Sequence, residues 1–297
     1  MPNDNIRNFL NAYVTNPDPR YALMLKGKWG CGKSFFIDSW LKEYQQPAVE
    51  AGESDIVLKP VRVTLYGLKQ TEQITKAIDR ELHPLLYSKG MKVAKNILKI
   101  AGKIAFKTNL DLDGNGEDET SMTTTLDSLS LFDSKDDSIK GVRFLIFDDL
   151  ERCLIDMKEL LGYINYFVEH CGCHVVLIGD EKHVEGERKK LLDEFKEKTV
   201  GREFEVEPDV ESAVSTFLTE DLPRVEWLVG QRDFIIRVFR ASGCDNLRIL
   251  RQCIYDFKAQ FEKLNTQLVN NDQVVLKNIL VISYRFTVST KGKTEIL

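Results

Sequence analysis

The sequence predicts an α/β fold: a three-layer core with a mainly parallel sheet over residues 1–205, then an α-helical lid over 206–297. Three observations carry that expectation. A short apolar run, Tyr21-Ala22-Leu23-Met24-Leu25, leads through a glycine-rich turn into the helical spacing of residues 34–41. Two further apolar runs, 142–147 and 175–178, end in aspartate or Gly-Asp, with a helical pattern from Met157 to Glu169 between them. Beyond Pro208 the apolar spacing is helical throughout.

Composition narrows the class. With 297 residues, 43% hydrophobic and 29% charged, the chain has the make-up of a soluble globular protein with room for a large core. A net charge of −5 supplies no global basic field for nucleic acid, although a local groove stays open. Met1-Pro2-Asn3-Asp4-Asn5 has no basic-then-apolar leader pattern, and no stretch reaches about 18 uninterrupted apolar residues. A cytoplasmic location is the expectation. Six cysteines in so long a chain do not read as a disulfide framework.

Taken in order, Ile6, Phe9, Leu10, Tyr13 and Val14 predict a first helix, and Asn16-Pro17-Asp18-Pro19 a turn. The helix after the glycine loop is expected to end near Tyr44, before Pro47. Val61-Arg62-Val63-Thr64-Leu65 reads as a strand and residues 71–86 as a helix. Lys89, Lys92, Lys95, Lys99, Lys103 and Lys107 then alternate with apolar residues as an amphipathic helix. It suits either an anionic membrane surface or, the blander reading, a solvated face packed on the core. Residues 108–139 are acidic, Ser/Thr-rich and poor in large apolar groups, which predicts a mobile insertion. Asp111-Leu112-Asp113-Gly114-Asn115-Gly116 imitates a calcium loop, but the twelfth position is Met122 rather than Glu, so calcium is rejected. His170-Cys171-Gly172-Cys173-His174 is too crowded for one tetrahedral ion and reads as a helix end leading into a strand. The segment 272–286 is apolar almost all round yet too short to span a bilayer. It is expected to be buried, on a partner or within a longer protein.

Two motifs carry chemistry. Gly27-Lys28-Trp29-Gly30-Cys31-Gly32-Lys33-Ser34 fits G-x-x-x-x-G-K-S, the Walker A loop, with Phe35 following. The glycines let backbone N–H groups turn inward onto a polyphosphate, Lys33 offers a point charge, and the Ser34 hydroxyl is a hard ligand for Mg²⁺. Phe144-Leu145-Ile146-Phe147-Asp148-Asp149 is a strand delivering carboxylates at its C-terminal end, as in Walker B. Asp148 is the expected second Mg²⁺ ligand. Asp149 is the expected group that orients the attacking water, with Glu151 as the alternative base.

The loop above, with Leu65-Tyr66-Gly67-Leu68 and Asp148-Asp149-Leu150-Glu151-Arg152-Cys153, resembles the KAP family of P-loop NTPases over residues 5 to 260; Glu151 stands where that family usually has Asp. The resemblance implies ATP hydrolysis on an additional-strand fold related to AAA+ and STAND proteins, and in bacterial members a link to phage exclusion. The membrane segments common in that family have no counterpart here beyond the lysine helix and acidic stretch. Asp180 falls where related folds sense the γ-phosphate, its alternative being a helix cap. Residues 198–204 resemble the link from core to lid, with Arg202 as a candidate arginine finger or a plain ion-pair partner. Residues 242–251 resemble the start of the lid helix, with Arg248 the candidate sensor-two arginine or a solvated helix residue.

The resulting expectation is an ATPase that uses ATP and Mg²⁺ and couples nucleotide state to assembly or conformational change as a homo-oligomer or part of a larger complex. The absence of an N-K-x-D motif favours ATP over GTP. A slow oligomerisation switch and a P-loop kinase are the alternatives.

Overall fold

The computed structural model describes residues 2–51, 60–82, 103–109, 121–127, 144–219, 226–263 and 273–291. Two compact units result. One comprises Asn3–Gly27 and Lys33–Glu205; the other comprises Met1–Pro2, Lys28–Gly32 and the chain from Val206 on.

The first unit is built on a five-stranded sheet. Its strands are β1 (Ala22–Lys26), β2 (Pro60–Thr64), β5 (Phe144–Asp148), β6 (His174–Gly179) and β7 (Val200–Glu205). Their order is β2-β5-β6-β1-β7, and every adjacent pair is parallel. β6 therefore stands between the strand that feeds the glycine loop and the strand that ends in Asp148. β5 and β6 are buried at every position, which is why both read as continuous apolar runs.

Helices cover both faces. α3 (Thr71–Leu82), α4 (Met157–Glu169) and α5 (Gly186–Thr199) close one side, where Ile74, Ile78, Leu160, Ile164, Phe167 and Phe195 meet Val61, Val63, Leu145, Phe147 and Leu177. On the other side lie α1 (Asp4–Val14) and α2 (Lys33–Ala51), with Phe9 against Phe204 and Trp40 edge-on to Phe144. The Trp40 indole donates to Asn11 Oδ1 at 2.8 Å and joins the two helices. The Tyr13 hydroxyl donates to the Tyr21 carbonyl at 2.7 Å and accepts from the Val175 amide at 3.0 Å, which fixes α1 at the start of β1 and β6. Burial pushes that phenol up from its ordinary pKa.

The His170–His174 stretch is a helix-to-strand connection. His170 caps α4, Gly172 turns at φ 60°, Cys173 is buried, and the His174 ring nitrogen Nε2 lies 2.8 Å from the Asn16 carbonyl.

Four elements depart from expectation. α2 continues past Pro47 to Ala51, although proline there removes one i→i−4 bond. β7 forms where only a linker was expected; it is an edge strand with Arg202, Glu203 and Glu205 exposed, so it lacks the apolar run of its neighbours. Lys103–Asn109 is a strand, β3, rather than the end of a lysine helix. It pairs antiparallel with β4 (Ser121–Asp127), within the stretch expected to be mobile. The β-branched run Thr123-Thr124-Thr125 favours that conformation. The remainder of the lysine segment and of the acidic insertion lies outside the described residues.

The second unit contains α6 (Val210–Thr219), α7 (Glu226–Val229), α8 (Arg232–Ala241), α9 (Leu247–Phe261) and α10 (Gln273–Lys291). Val214, Phe217, Leu228, Phe239, Leu250 and Phe257 form its core, and Trp227 stacks on Phe257 and Phe261. α10 was expected to need a partner or further chain to bury it. One face of it packs on α9 and contributes Leu280 and Tyr284 to this core, while Val274 and Ile282 are exposed. Among the described residues no helix is long and apolar enough to cross a membrane.

Candidate nucleotide-binding site

Parallel register brings the ends of four strands to one edge of the sheet: Lys26 lies opposite Gly179, and Thr64 opposite Asp148. In an open parallel sheet this carboxyl edge is where ligands bind. The glycine loop leaves β1 there. Gly30 and Gly32 have φ of 80° and 101°, a region that residues with a Cβ rarely adopt. Gly27 is buried, Lys28 exposed, Trp29 half-buried and Cys31 buried. Lys33 opens α2, and its ammonium donates to the Gly27 carbonyl at 2.6 Å, so the charge lies back across the loop. Phe35 is exposed while Phe36 turns into the core.

Ser34, one residue into α2, donates from Oγ to Asp148 Oδ2 at 2.9 Å. Asp148 is only 2% exposed, so its charge needs partners. They are the Ser34 hydroxyl, the Asp149 amide at 2.8 Å on Oδ1, and the Arg62 guanidinium on Oδ2. The other end of that guanidinium pairs with Asp38 of α2. Burial alone would lower the Arg62 pKa; the two carboxylates outweigh it and hold the group above its usual range. The hard-oxygen donor set of Ser34 and Asp148 fits Mg²⁺.

The next two carboxylates differ. Asp149 is half-buried with φ 60°, and its Oδ2 accepts from the Thr64 hydroxyl at 2.9 Å. Glu151 is 8% exposed, and its Oε2 accepts the Asp180 amide at 3.1 Å, tying the end of β5 to the end of β6. Asp180 is itself buried; it accepts from the Lys182 amide at 3.2 Å and lies 3.1 Å from His183 Nδ1. It caps the short turn Glu181–His183. Arg202 is exposed on β7, opposite Leu23 in register.

In the helical unit the N-terminus of α9 meets residues 28–32. The Leu247 amide donates to the Gly30 carbonyl at 2.8 Å, and Lys28 pairs with Asp245 at 2.8 Å. A Cβ on Gly30 would stand 2.0 Å from Asn246 Oδ1. Asn246 is the N-cap of α9, accepting from the amides of Arg248 and Ile249 at 3.0 and 3.2 Å. The Arg248 side chain is exposed.

Arg62, Thr64 and Asn246 are absent from the sequence-derived site. Each meets the motifs only through the fold, and an arginine or threonine alternating with valines in a strand carries no signal of its own.

The family described as KAP family P-loop domain matches residues 3–290. No curated protein matches the chain. Among solved structures, the ADP form of the ORC2 protein of Aeropyrum pernix is similar with a TM-score of 0.52 at 14% identity; the match covers 94% of this chain and 66% of that one. The chain thus spans just under two thirds of that protein. A Walker-type ATPase of Pyrococcus abyssi gives a TM-score of 0.41 at 15% identity, covering 91% of this chain and 76% of that one.

Proposed function

The chain belongs to the KAP family of P-loop NTPases, a nucleotide-binding family, and from that footing we propose that it is a Mg²⁺-dependent ATPase. The observation that carries the reading is the 2.9 Å contact of Ser34 with Asp148, which brings the end of the glycine loop onto the carboxylate of a different strand. Lys33 and the amides of residues 27–34 hold the phosphates of ATP. Ser34 and Asp148 would hold Mg²⁺, which would supply charge neutralisation for the phosphates. Asp149 orients the attacking water and takes its proton; Thr64 sets the carboxylate's direction. Asp180 is the polar group at the end of β6 that would sense the γ-phosphate; Arg202 is the candidate arginine finger toward another copy, and Arg248 the candidate sensor-two arginine.

Coupling of nucleotide state to the helices is supported by the bond between Gly30 and Leu247, which lets a change in loop conformation act directly on α9. Steady-state phosphate release with ATP, with and without Mg²⁺, tests the reading. Phosphate release that requires Mg²⁺ and disappears in Asp149→Asn supports it. ATP-dependent change in mass without phosphate release points to a switch, and transfer of label to a small acceptor points to a kinase.

A further inference from the structure

The proposed metal carboxylate already has a cation on it. Arg62, from the middle of β2, spans two carboxylates: one nitrogen pairs with Asp148 Oδ2, the oxygen that Ser34 also contacts, and another pairs with Asp38. The surroundings of the two carboxylates are unequal. The Asp148 side chain is 3% exposed, whereas that of Asp38 is 52% exposed and lies at the solvent end of the guanidinium. A buried carboxylate left without a counter-charge is costly, so Arg62 compensates Asp148 whenever no other cation does. Two cations at one carboxylate repel each other, so binding of a divalent ion there must weaken the Arg62 contact. Asp38 gives the guanidinium somewhere to remain paired.

We infer that Arg62 is a resident counter-ion that keeps Asp148 and Ser34 in place without metal, and that it gives way toward Asp38 when the divalent ion binds. Arg62 thereby sets how much Mg²⁺ the site requires. The inference deepens the ATPase reading and rests on its assignment of Asp148 to the metal.

The two ends of the guanidinium give opposite tests. Mg²⁺ is titrated at a fixed concentration of a fluorescent ATP analogue, and the midpoint of Mg²⁺-dependent binding is read. Arg62→Met removes the competitor, and the midpoint falls about tenfold, the scale of one charge-assisted hydrogen bond. Asp38→Asn removes the retreat, concentrates Arg62 on Asp148, and raises the midpoint several-fold. Thermal unfolding in EDTA without nucleotide gives a second readout: Arg62→Met melts lower than wild type, and added Mg²⁺ recovers more of the difference than it adds to wild type. Unchanged midpoints in both variants, or a raised midpoint in Arg62→Met, overturn the inference. Should Arg62→Met fail to fold, Asp38→Asn decides alone, an upward shift supporting the inference and no shift or a downward one overturning it. Wild-type binding of the analogue that ignores Mg²⁺ removes the metal assignment, and the inference falls with it. Mg²⁺-dependent wild-type binding with immobile variant midpoints removes only the role of Arg62.

Discussion

Asp149 and Glu151 stand two positions apart and do different things. Asp149 is half-buried and oriented by Thr64, whereas Glu151 spends its carboxylate on the Asp180 amide inside the protein. Asp149→Asn is therefore expected to bind ATP and lose about 10²- to 10⁴-fold in turnover. Glu151→Gln keeps an acceptor for Asp180 and is expected to stay within about tenfold of wild type. Parallel measurement of nucleotide binding and phosphate release checks both; reversed effects would transfer the base role to Glu151. Lys33→Ala removes the charge lying across the loop, and loss of detectable nucleotide binding is expected in a fluorescence titration. Gly30→Ala meets two obstacles, a φ of 80° and Asn246 at 2.0 Å. Its expected cost is about 1–3 kcal/mol of stability, measured by denaturant unfolding, accompanied by weaker nucleotide binding.

At the scale of elements, the edge strand β7 is held by ions as well as by its ladder. Glu203 pairs with Lys26 of β1 at 2.9 Å and with Lys196 of α5 at 3.1 Å, and Lys196 reaches Glu181 at 2.7 Å. Lys196 is 12% exposed on its side chain, so Lys196→Met is expected to cost about 2 kcal/mol, read as a lower denaturant midpoint. Burial would raise the Glu203 pKa, but the two lysines prevail and depress it. The stabilisation from Glu203 is thus complete above the ordinary carboxylate pKa and is lost as pH falls through its depressed value. Lys196 is opposite in sign: burial would lower it, Glu181 and Glu203 raise it, and its contribution is complete below the ordinary lysine pKa and fades as pH rises through the raised value. Stability against pH should therefore show a shoulder at each extreme, and Lys196→Met should flatten both. The same strand marks the limit of what the sequence discloses. β1, β5 and β6 are legible because burial on both faces makes them unbroken apolar runs. β7 has one buried neighbour and charged residues along its length, and it resembles a linker until it is seen paired with β1. The loop and the twin aspartates are readable because local chain geometry creates them. Arg62 and Asn246 are not, since their contacts span 86 residues to Asp148 in one case and join separated segments in the other.

For the molecule as a whole, the helical unit holds both the middle of the glycine loop and α9, joined by the Leu247–Gly30 bond, and the proposed coupling of nucleotide state to assembly is tested at this scale. Particle size by light scattering, with and without a non-hydrolysable ATP analogue, is expected to rise on binding. Arg202→Ala should leave that binding intact while cutting turnover by about 10³-fold if a second copy supplies the arginine. Equal turnover in wild type and Arg202→Ala would assign β7 a structural role only.

The placement of β6 between β1 and β5 has an engineering consequence. Two strand spacings, about 10 Å, separate the strand backbones leading to the lysine and the paired acids, a gauge set by backbone ladders rather than by any side chain of either motif. Gly179, at the end of the middle strand, lets the paired-acid segment pack close, since a methyl group there would sit 3.2 Å from both Glu151 and Leu150. Attempts to retune the site for shorter or longer polyphosphates should begin with this silent spacer.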